Sequence, residues 1–297
     1  MQGSNLTSRM NNPYANSLDG LKLSDPVTAF FDYCREREKI RISREKKDPS
    51  PWTNDIIFQK GRFLNVFRED DRVSKSIIYF AKGLEKDLPK LIQALFFARW
   101  CNKQEIIDKL SSKILLQPKK LMKELDLFNS WCNESAYPVQ SINWSGIEYS
   151  RIDSAVELFC IIKNDLTKII IESEGDVIKA TNSVNSHFKM ENSFPIFMAI
   201  VDIGWFRPDI INPNSHVPTG IGAVAYLDRL QKYLKLKNHQ ETCDKMIQLQ
   251  KKYWPEAKRT FQPIDIEYQS CECRKYYSYV NGTKLFEGKN LFRPKMK

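Results

Sequence analysis

The sequence predicts an all-α protein, and three observations support that prediction. Apolar residues recur at helical spacing along most of the 297-residue chain, few segments are typical of strands, and Gly and Pro number only 11 and 14. Hydrophobic residues make up 42% of the chain, which excludes disorder over most of it. We expect a flexible tail over residues 1–24, one main domain over 25–270 and a basic, aromatic tail over 271–297.

The individual helices are predicted from capping residues, helix breakers and apolar periodicity. Asp25 before Pro26 is typical of an N-cap followed by a first-turn proline, and the prolines after Asp48 end that helix. Residues 137–150 hold Pro138 and Gly146, so we expect a loop or short hairpin there. The last 40 residues have a mixed pattern. Further helices are predicted at 53–68, 70–81, 87–100, 104–110, 118–131, 154–171, 194–205, 220–236 and 242–253.

The net charge of the chain is +10, from 46 Lys and Arg against 36 Asp and Glu. This excess favours a polyanionic partner: nucleic acid, a phosphorylated ligand or an anionic membrane surface. The seven cysteines are odd in number and scattered, which indicates reduced thiols. Cys271 and Cys273 are too close together for a zinc knuckle, so we expect no metal and no cofactor. No apolar run reaches the about 18 residues of a membrane span. We expect an intracellular protein, in the nucleus or, if viral or bacterial, in the cytoplasm.

Three arginines and an asparagine recur at roughly helical spacing in the segment 62–72. Arg62, Asn65, Arg68 and Arg72 would share one broad face if this segment were helical. Such a face suits phosphate or carboxylate recognition, although a solvent face paired with neighbouring carboxylates is the alternative.

Asp202 ends an otherwise apolar helix. Burial there would raise its pKa towards the range that a general base needs. The alternative is an aspartate hydrogen-bonded to a backbone group or an arginine.

Gly220 and Gly222 come before a predicted helix, where exposed backbone N–H groups can bind an anion. The segment 274–297 carries seven basic residues against one acidic residue, with Tyr276, Tyr277 and three further aromatic residues between them. That pattern is typical of phosphate contact and base stacking, and a solvated basic tail is the alternative.

Three motifs then give a family resemblance over roughly residues 28–280. They are R-E-x-I-R at 37–41, P-x-P-W-T-x-D at 49–55 and R-F-x-N-V-x-R-x-x-D-R at 62–72. Later come the aspartate-ended helix, the glycine turn and an E-x-x-x-C-E element that begins at Glu267. The chain resembles the α-glutamyl/putrescinyl-thymine pyrophosphorylases and the related helical domain of 5-hydroxymethyl-deoxyuridine DNA kinases.

The resemblance implies a helical bundle like that of helix-hairpin-helix DNA glycosylases and a role in thymine hypermodification. There an amine displaces the phosphate or pyrophosphate of an activated hydroxymethyluracil in DNA. Its partners would be double-stranded DNA with a flipped base, a small amine or amino acid, and other enzymes of such a pathway. Asp202 would be the base, Gly220, Gly222 and Arg68 the leaving-group clamp, and Trp52 and Trp205 base-stacking walls. Arg41, Arg62, Asn65, Arg72 and Lys275 would bind phosphate.

Two departures from the family pattern keep other functions open. The G-P-G turn is Gly220-Ile221-Gly222 here, and C-E-F-D-K has become C-E-C-R-K at 271–275. The second hypothesis is therefore a catalytically lapsed member that acts as a nucleic-acid-binding or structural subunit, and the third is a glycosylase-like lyase. No P-loop motif occurs, so kinase activity of this chain is not expected.

Overall fold

The computed structural model describes residues 25–133, 141–191 and 193–280, and over these residues the fold is all-α. A single short hairpin interrupts the described helices, at the place where the sequence predicts a loop or hairpin. The α-helices are α1 Pro26–Glu45, α2 Ile56–Lys60, α3 Arg72–Ala81, α4 Leu88–Cys101, α5 Gln104–Ile107, α6 Pro118–Leu125, α7 Arg151–Asp153, α8 Phe159–Ile171, α9 Val177–His187, α10 Phe194–Phe206, α11 Val224–Leu234, α12 His239–Tyr253 and α13 Pro263–Val280. The hairpin pairs β1 Ile142–Trp144 with β2 Ile147–Tyr149, 3₁₀ turns lie at Arg68–Asp70 and Ser112–Leu116, and a π-helix joins α7 to α8 at Ser154–Leu158.

Side-chain caps explain where several helices begin. Asp25 accepts hydrogen bonds from the N–H groups of Val27 and Thr28 at the start of α1, as the sequence predicts. Asp55 caps α2 in the same way. Each cap satisfies backbone donors that the first helical turn leaves unpaired.

The chain forms two compact units. The first comprises residues 1–68 and 217–297, and the second comprises residues 69–216. This division differs from the predicted single domain over 25–270, and α13 runs without a break through the predicted boundary between residues 270 and 271.

The core of the second unit is the contact of α4 with α10 and α8. Residues 91–101 of α4 are all buried, and so is most of α10. The core of the first unit lies around α13, which packs against α1, α11 and α12. Its aromatic side chains include Phe30, Phe31, Phe63, Phe67 and Tyr276, which are at most 8% exposed.

The predictions fail in several places: they omit α9, they extend α6 beyond Leu125, and they are wrong about the two segments that follow. Residues 61–67 contain no helix: the chain leaves α2 and runs without regular structure to the 3₁₀ turn. The segment after residue 262 is a long buried helix, and Tyr276, Tyr277 and Tyr279 belong to the core of the first unit instead of an aromatic tail. The tail residues 281–297, like residues 1–24, lie outside the described part of the chain.

Candidate functional site

The segment 62–68, which carries the arginine motif, lies along α13. Gln269 Nε2 donates to the carbonyl oxygens of Asn65 and Val66, both at 3.0 Å. The Leu64 N–H donates to Glu272 Oε2 at 2.9 Å. These bonds join residues more than 200 positions apart, and they replace the backbone pairing that a helix over 62–68 would have supplied.

The two earlier motifs are attached to the same region. The Arg37 guanidinium donates to the carbonyl oxygens of Phe63 and Leu64, at 3.3 and 2.9 Å. The hydroxyl of Tyr276 on α13 donates to Asp55 at 2.6 Å. Burial raises the pKa of Asp55 to about 6, against the lowering effect of this hydrogen bond and of the α2 backbone. All three N-terminal motifs thus contribute contacts around α13 within the first unit.

The glycine turn, residues 219–223, meets α13 from another side. The Gly220 N–H donates to Glu267 Oε1 at 3.0 Å, and Arg274 Nε donates to the Gly222 carbonyl at 2.6 Å. A Cβ at position 222 would overlap Cys271 Sγ, so only glycine fits this approach. The prediction that the turn opens a helix is close, because α11 begins two residues after Gly222. The Gly220 donor, however, serves a carboxylate of the chain itself.

Glu267 is the most perturbed carboxylate at this turn. Its side chain lies on α13 and is 7% exposed. Burial raises the pKa of Glu267 to about 7, while the Gly220 N–H and the positive charge of Arg68 act in the opposite direction. Arg68 itself lies over the ring of Tyr268, 5.0 Å from its centroid, and Nη1 donates to the Tyr268 hydroxyl at 3.3 Å.

A histidine adjoins the same turn. His239 Nδ1 lies 3.3 Å from the hydroxyl of Thr219, and its Nε2 lies 2.8 Å from Asp228 Oδ1. The carboxylate favours the tautomer with a proton on Nε2, so Nδ1 accepts from the threonine. No local pattern predicts this contact, because His239 and Thr219 are 20 positions apart.

The predicted arginine face does not form, because its residues lie on no common helix. Arg62 is exposed, Asn65 is half-buried and Arg68 is buried against Tyr268. Arg72 is exposed at the start of α3, in the second unit. The spacing argument is therefore wrong, and phosphate binding by each of these residues stays a prediction.

Asp202 is fully buried, and its carboxylate is paired with Arg99. Arg99 Nε and Nη2 donate to the two carboxylate oxygens at 2.5 and 2.7 Å, between α4 and α10. Both side chains are 0% exposed. The burial of Asp202 agrees with the expectation for a general base. Its pairing with an arginine, however, agrees with the alternative interpretation, in which Asp202 is structural. Its role as a base stays a prediction.

The remaining predicted residues have mostly structural contacts. Arg41 forms ion pairs with Glu38 and Glu45 along α1, and Lys275 pairs with Glu272. Trp52 is half-buried, with the Arg44 guanidinium 5.3 Å from its ring centroid. Trp205 is half-buried near the end of α10.

The sequence analysis includes Glu267 and Glu272 in the E-x-x-x-C-E element but assigns neither of them to the site. Glu267 and Glu272 each accept a backbone N–H from a different motif segment. A signal was present, since both stand in an apolar and aromatic stretch, where an unpaired carboxylate is costly.

The described residues show neither a metal-binding cluster nor a membrane-spanning helix. Residues 25–133, 141–191 and 193–280 hold no group of three or more His, Cys, Asp or Glu side chains that could bind a metal ion. None of the helices described is long and apolar enough to cross a lipid bilayer.

One comparison with known proteins decides the family. The sequence model of the family described as "5-hmdU DNA kinase, helical domain" matches residues 24–283. The chain belongs to this family. No curated protein and no solved structure matches it. Membership in the 5-hmdU DNA kinase helical-domain family supports a role in thymine hypermodification, with DNA as the substrate, and the match spans both compact units.

Proposed function

We propose that the chain replaces the phosphate or pyrophosphate of an activated hydroxymethyluracil in DNA by an amine. A bond forms between the amine nitrogen and the methylene carbon of the base. The bond from that carbon to the ester oxygen breaks, the (pyro)phosphate leaves with the electron pair, and a protein base takes the proton of the amine.

The observation that carries this proposal is Glu267 beneath Gly220. A carboxylate with a pKa of about 7 exists in both protonation states near neutral pH, as a general base requires. Gly220 is exposed, and a Cβ there would lie 2.9 Å from Glu267 Oε1. Glycine at position 220 therefore leaves the space beside Glu267 Oε1 free of a side chain.

The residues of the first unit support a revised division of labour. Glu267 is favoured over Asp202 as the base, because Asp202 already holds a buried guanidinium. The positive charge of Arg68 favours the ionised form of this carboxylate, which is the form that accepts a proton. The side chain of Arg62 is exposed to solvent, and its guanidinium suits contact with the leaving phosphate.

The test uses duplex DNA with pyrophosphorylated hydroxymethyluracil and a panel of amines, with mass spectrometry of the product nucleosides. We expect the transfer rate of the wild type to rise with pH around 7, as Glu267 loses its proton, and Glu267→Gln to lose transfer while it still binds DNA. Glu174→Gln, at a side chain 85% exposed in the second unit, is the matched control.

Two results would contradict the proposal. Transfer by Glu267→Gln at the wild-type rate and pH profile would remove Glu267 as the base. A wild type that binds DNA but transfers no amine would favour the lapsed, nucleic-acid-binding member, and release of free base would favour the lyase.

A further inference from the structure

Ile221, at the tip of the glycine turn, is the most exposed large hydrophobic side chain of the described residues. It is 97% exposed, whereas the next, Tyr79 and Leu127, are 78% exposed. Val224, three residues later, is also exposed, at 37%. A single exposed apolar side chain is ordinary on a protein surface, so exposure alone assigns no role to Ile221.

The support beneath Ile221 is what distinguishes it. The residue before it donates its N–H to Glu267, and the residue after it accepts from Arg274. Gly222 also lies against Cys271 with no room for a Cβ, and Ala223 is fully buried. The turn is thus held to α13 on both sides of an apolar side chain that faces water. A side chain held in place before binding loses little conformational entropy when it enters a partner.

The turn lies beside charges of both signs. Arg274 contacts the turn directly, and Glu267 lies beneath Gly220. Asp228 on α11 is exposed and bound to His239. Arg229, also on α11, lies over the Tyr277 ring at 4.5 Å and donates to its hydroxyl at 2.8 Å. Cationic groups beside an apolar tip match the phosphates on either side of a base step in duplex DNA.

We propose that Ile221 is a wedge that enters the base stack of double-stranded DNA when the target base is extruded. Apolar side chains, isoleucine among them, separate base steps in this way and offset part of the stacking energy that is lost. Extrusion requires a few kcal/mol, and burial of an isoleucine side chain supplies an amount of that order. The inference rests on the proposed function in that DNA is the substrate, and it adds a residue that opens the duplex.

The test places 2-aminopurine beside hydroxymethyluracil in a duplex, since its fluorescence rises when a neighbouring base unstacks. We expect the wild type to raise this fluorescence, and Ile221→Ser to abolish the rise and weaken duplex binding about tenfold. Ile221→Leu should retain both. Ile147→Ser, at an isoleucine 58% exposed on β2, is the matched control and should behave as the wild type.

A second substrate separates the wedge from the chemistry. With the hydroxymethyluracil unpaired in a bulge or single strand, no stack has to be opened, so Ile221→Ser should bind and transfer as the wild type does. Equal fluorescence and affinity of Ile221→Ser and wild type on the intact duplex would overturn the wedge, and so would a wild type that does not bind duplex DNA. Loss of transfer by the wild type on the unpaired substrate would overturn the proposed function alone.

Discussion

Asp202 and Glu267 are both buried carboxylates, but their neighbours differ. Asp202 has a fully buried guanidinium at hydrogen-bond distance from both oxygens, whereas Glu267 has one backbone N–H and an arginine that lies on a tyrosine ring. A buried carboxylate without a close ion-pair partner is more easily protonated, which is the physical reason for the raised pKa of Glu267. Their different partners therefore make Asp202 a structural acid and Glu267 a candidate catalytic acid.

The pair of Asp202 with Arg99 predicts a large stability effect. Asp202→Asn leaves the Arg99 charge buried without its counter-ion, so we expect the free energy of unfolding to fall by about 3–5 kcal/mol. Asp209→Asn is the control: its pair with Arg207 is exposed and screened by solvent, so we expect little change in stability. Urea unfolding measures both. If Asp202→Asn is as stable as the control but loses amine transfer, Asp202 regains the role of base.

The glycine turn packs so closely against α13 that a larger residue at position 222 should destabilise the chain. Gly222→Ala places a Cβ against Cys271 Sγ, and overpacking of this kind destabilises by about 1–3 kcal/mol. Removal of the sulfur should relieve the overlap, so Gly222→Ala combined with Cys271→Ala should recover most of the loss, as a double-mutant cycle by thermal unfolding would measure. Additive effects of the two substitutions would show that the turn moves away from α13 instead.

The helices α3, α4 and α10 could be predicted from the sequence to within two residues, because their apolar residues form one stripe or one continuous run. The helices α9 and α13 were not predicted. In α13, polar, aromatic and apolar residues alternate without a stripe or a run, although the helix is almost wholly buried. The segment 62–67 has helical spacing, yet Arg37, Gln269 and Glu272 satisfy its backbone in another conformation. Those partners are distant in sequence, so no local pattern reveals them.

The family motifs show the same limit for the candidate site. Each motif could be recognised in the sequence by itself. The sequence could not show that the segments 49–55, 62–68 and 219–223 all contact α13. The predicted site therefore did not include the α13 carboxylates Glu267 and Glu272. It did include Asp202 and Arg72, which belong to the second unit. The motifs thus identified segments that contact one another in the first unit, but not the side chains that join them.

A large part of the net positive charge of the chain lies in its last 17 residues. Residues 281–297 hold Lys284, Lys289, Arg293, Lys295 and Lys297 against Glu287, a net charge of 5 − 1 = +4 out of +10. We predict that replacement of these five basic residues by glutamine lowers the affinity of the chain for duplex DNA.

The effect of that replacement on DNA binding should be electrostatic. Each phosphate contact that is lost lowers the slope of log binding constant against log salt concentration by about 0.9 on duplex DNA. We expect the slope of the variant to fall by several such steps, with affinity reduced equally on hydroxymethyluracil and thymine duplexes, since phosphate contacts carry no sequence information. The control replaces Lys82, Lys86, Lys113, Lys119 and Lys179 of the second unit, which removes the same charge elsewhere. If both variants shift the slope equally, net charge alone governs binding, and the C-terminal segment has no special part in holding the DNA.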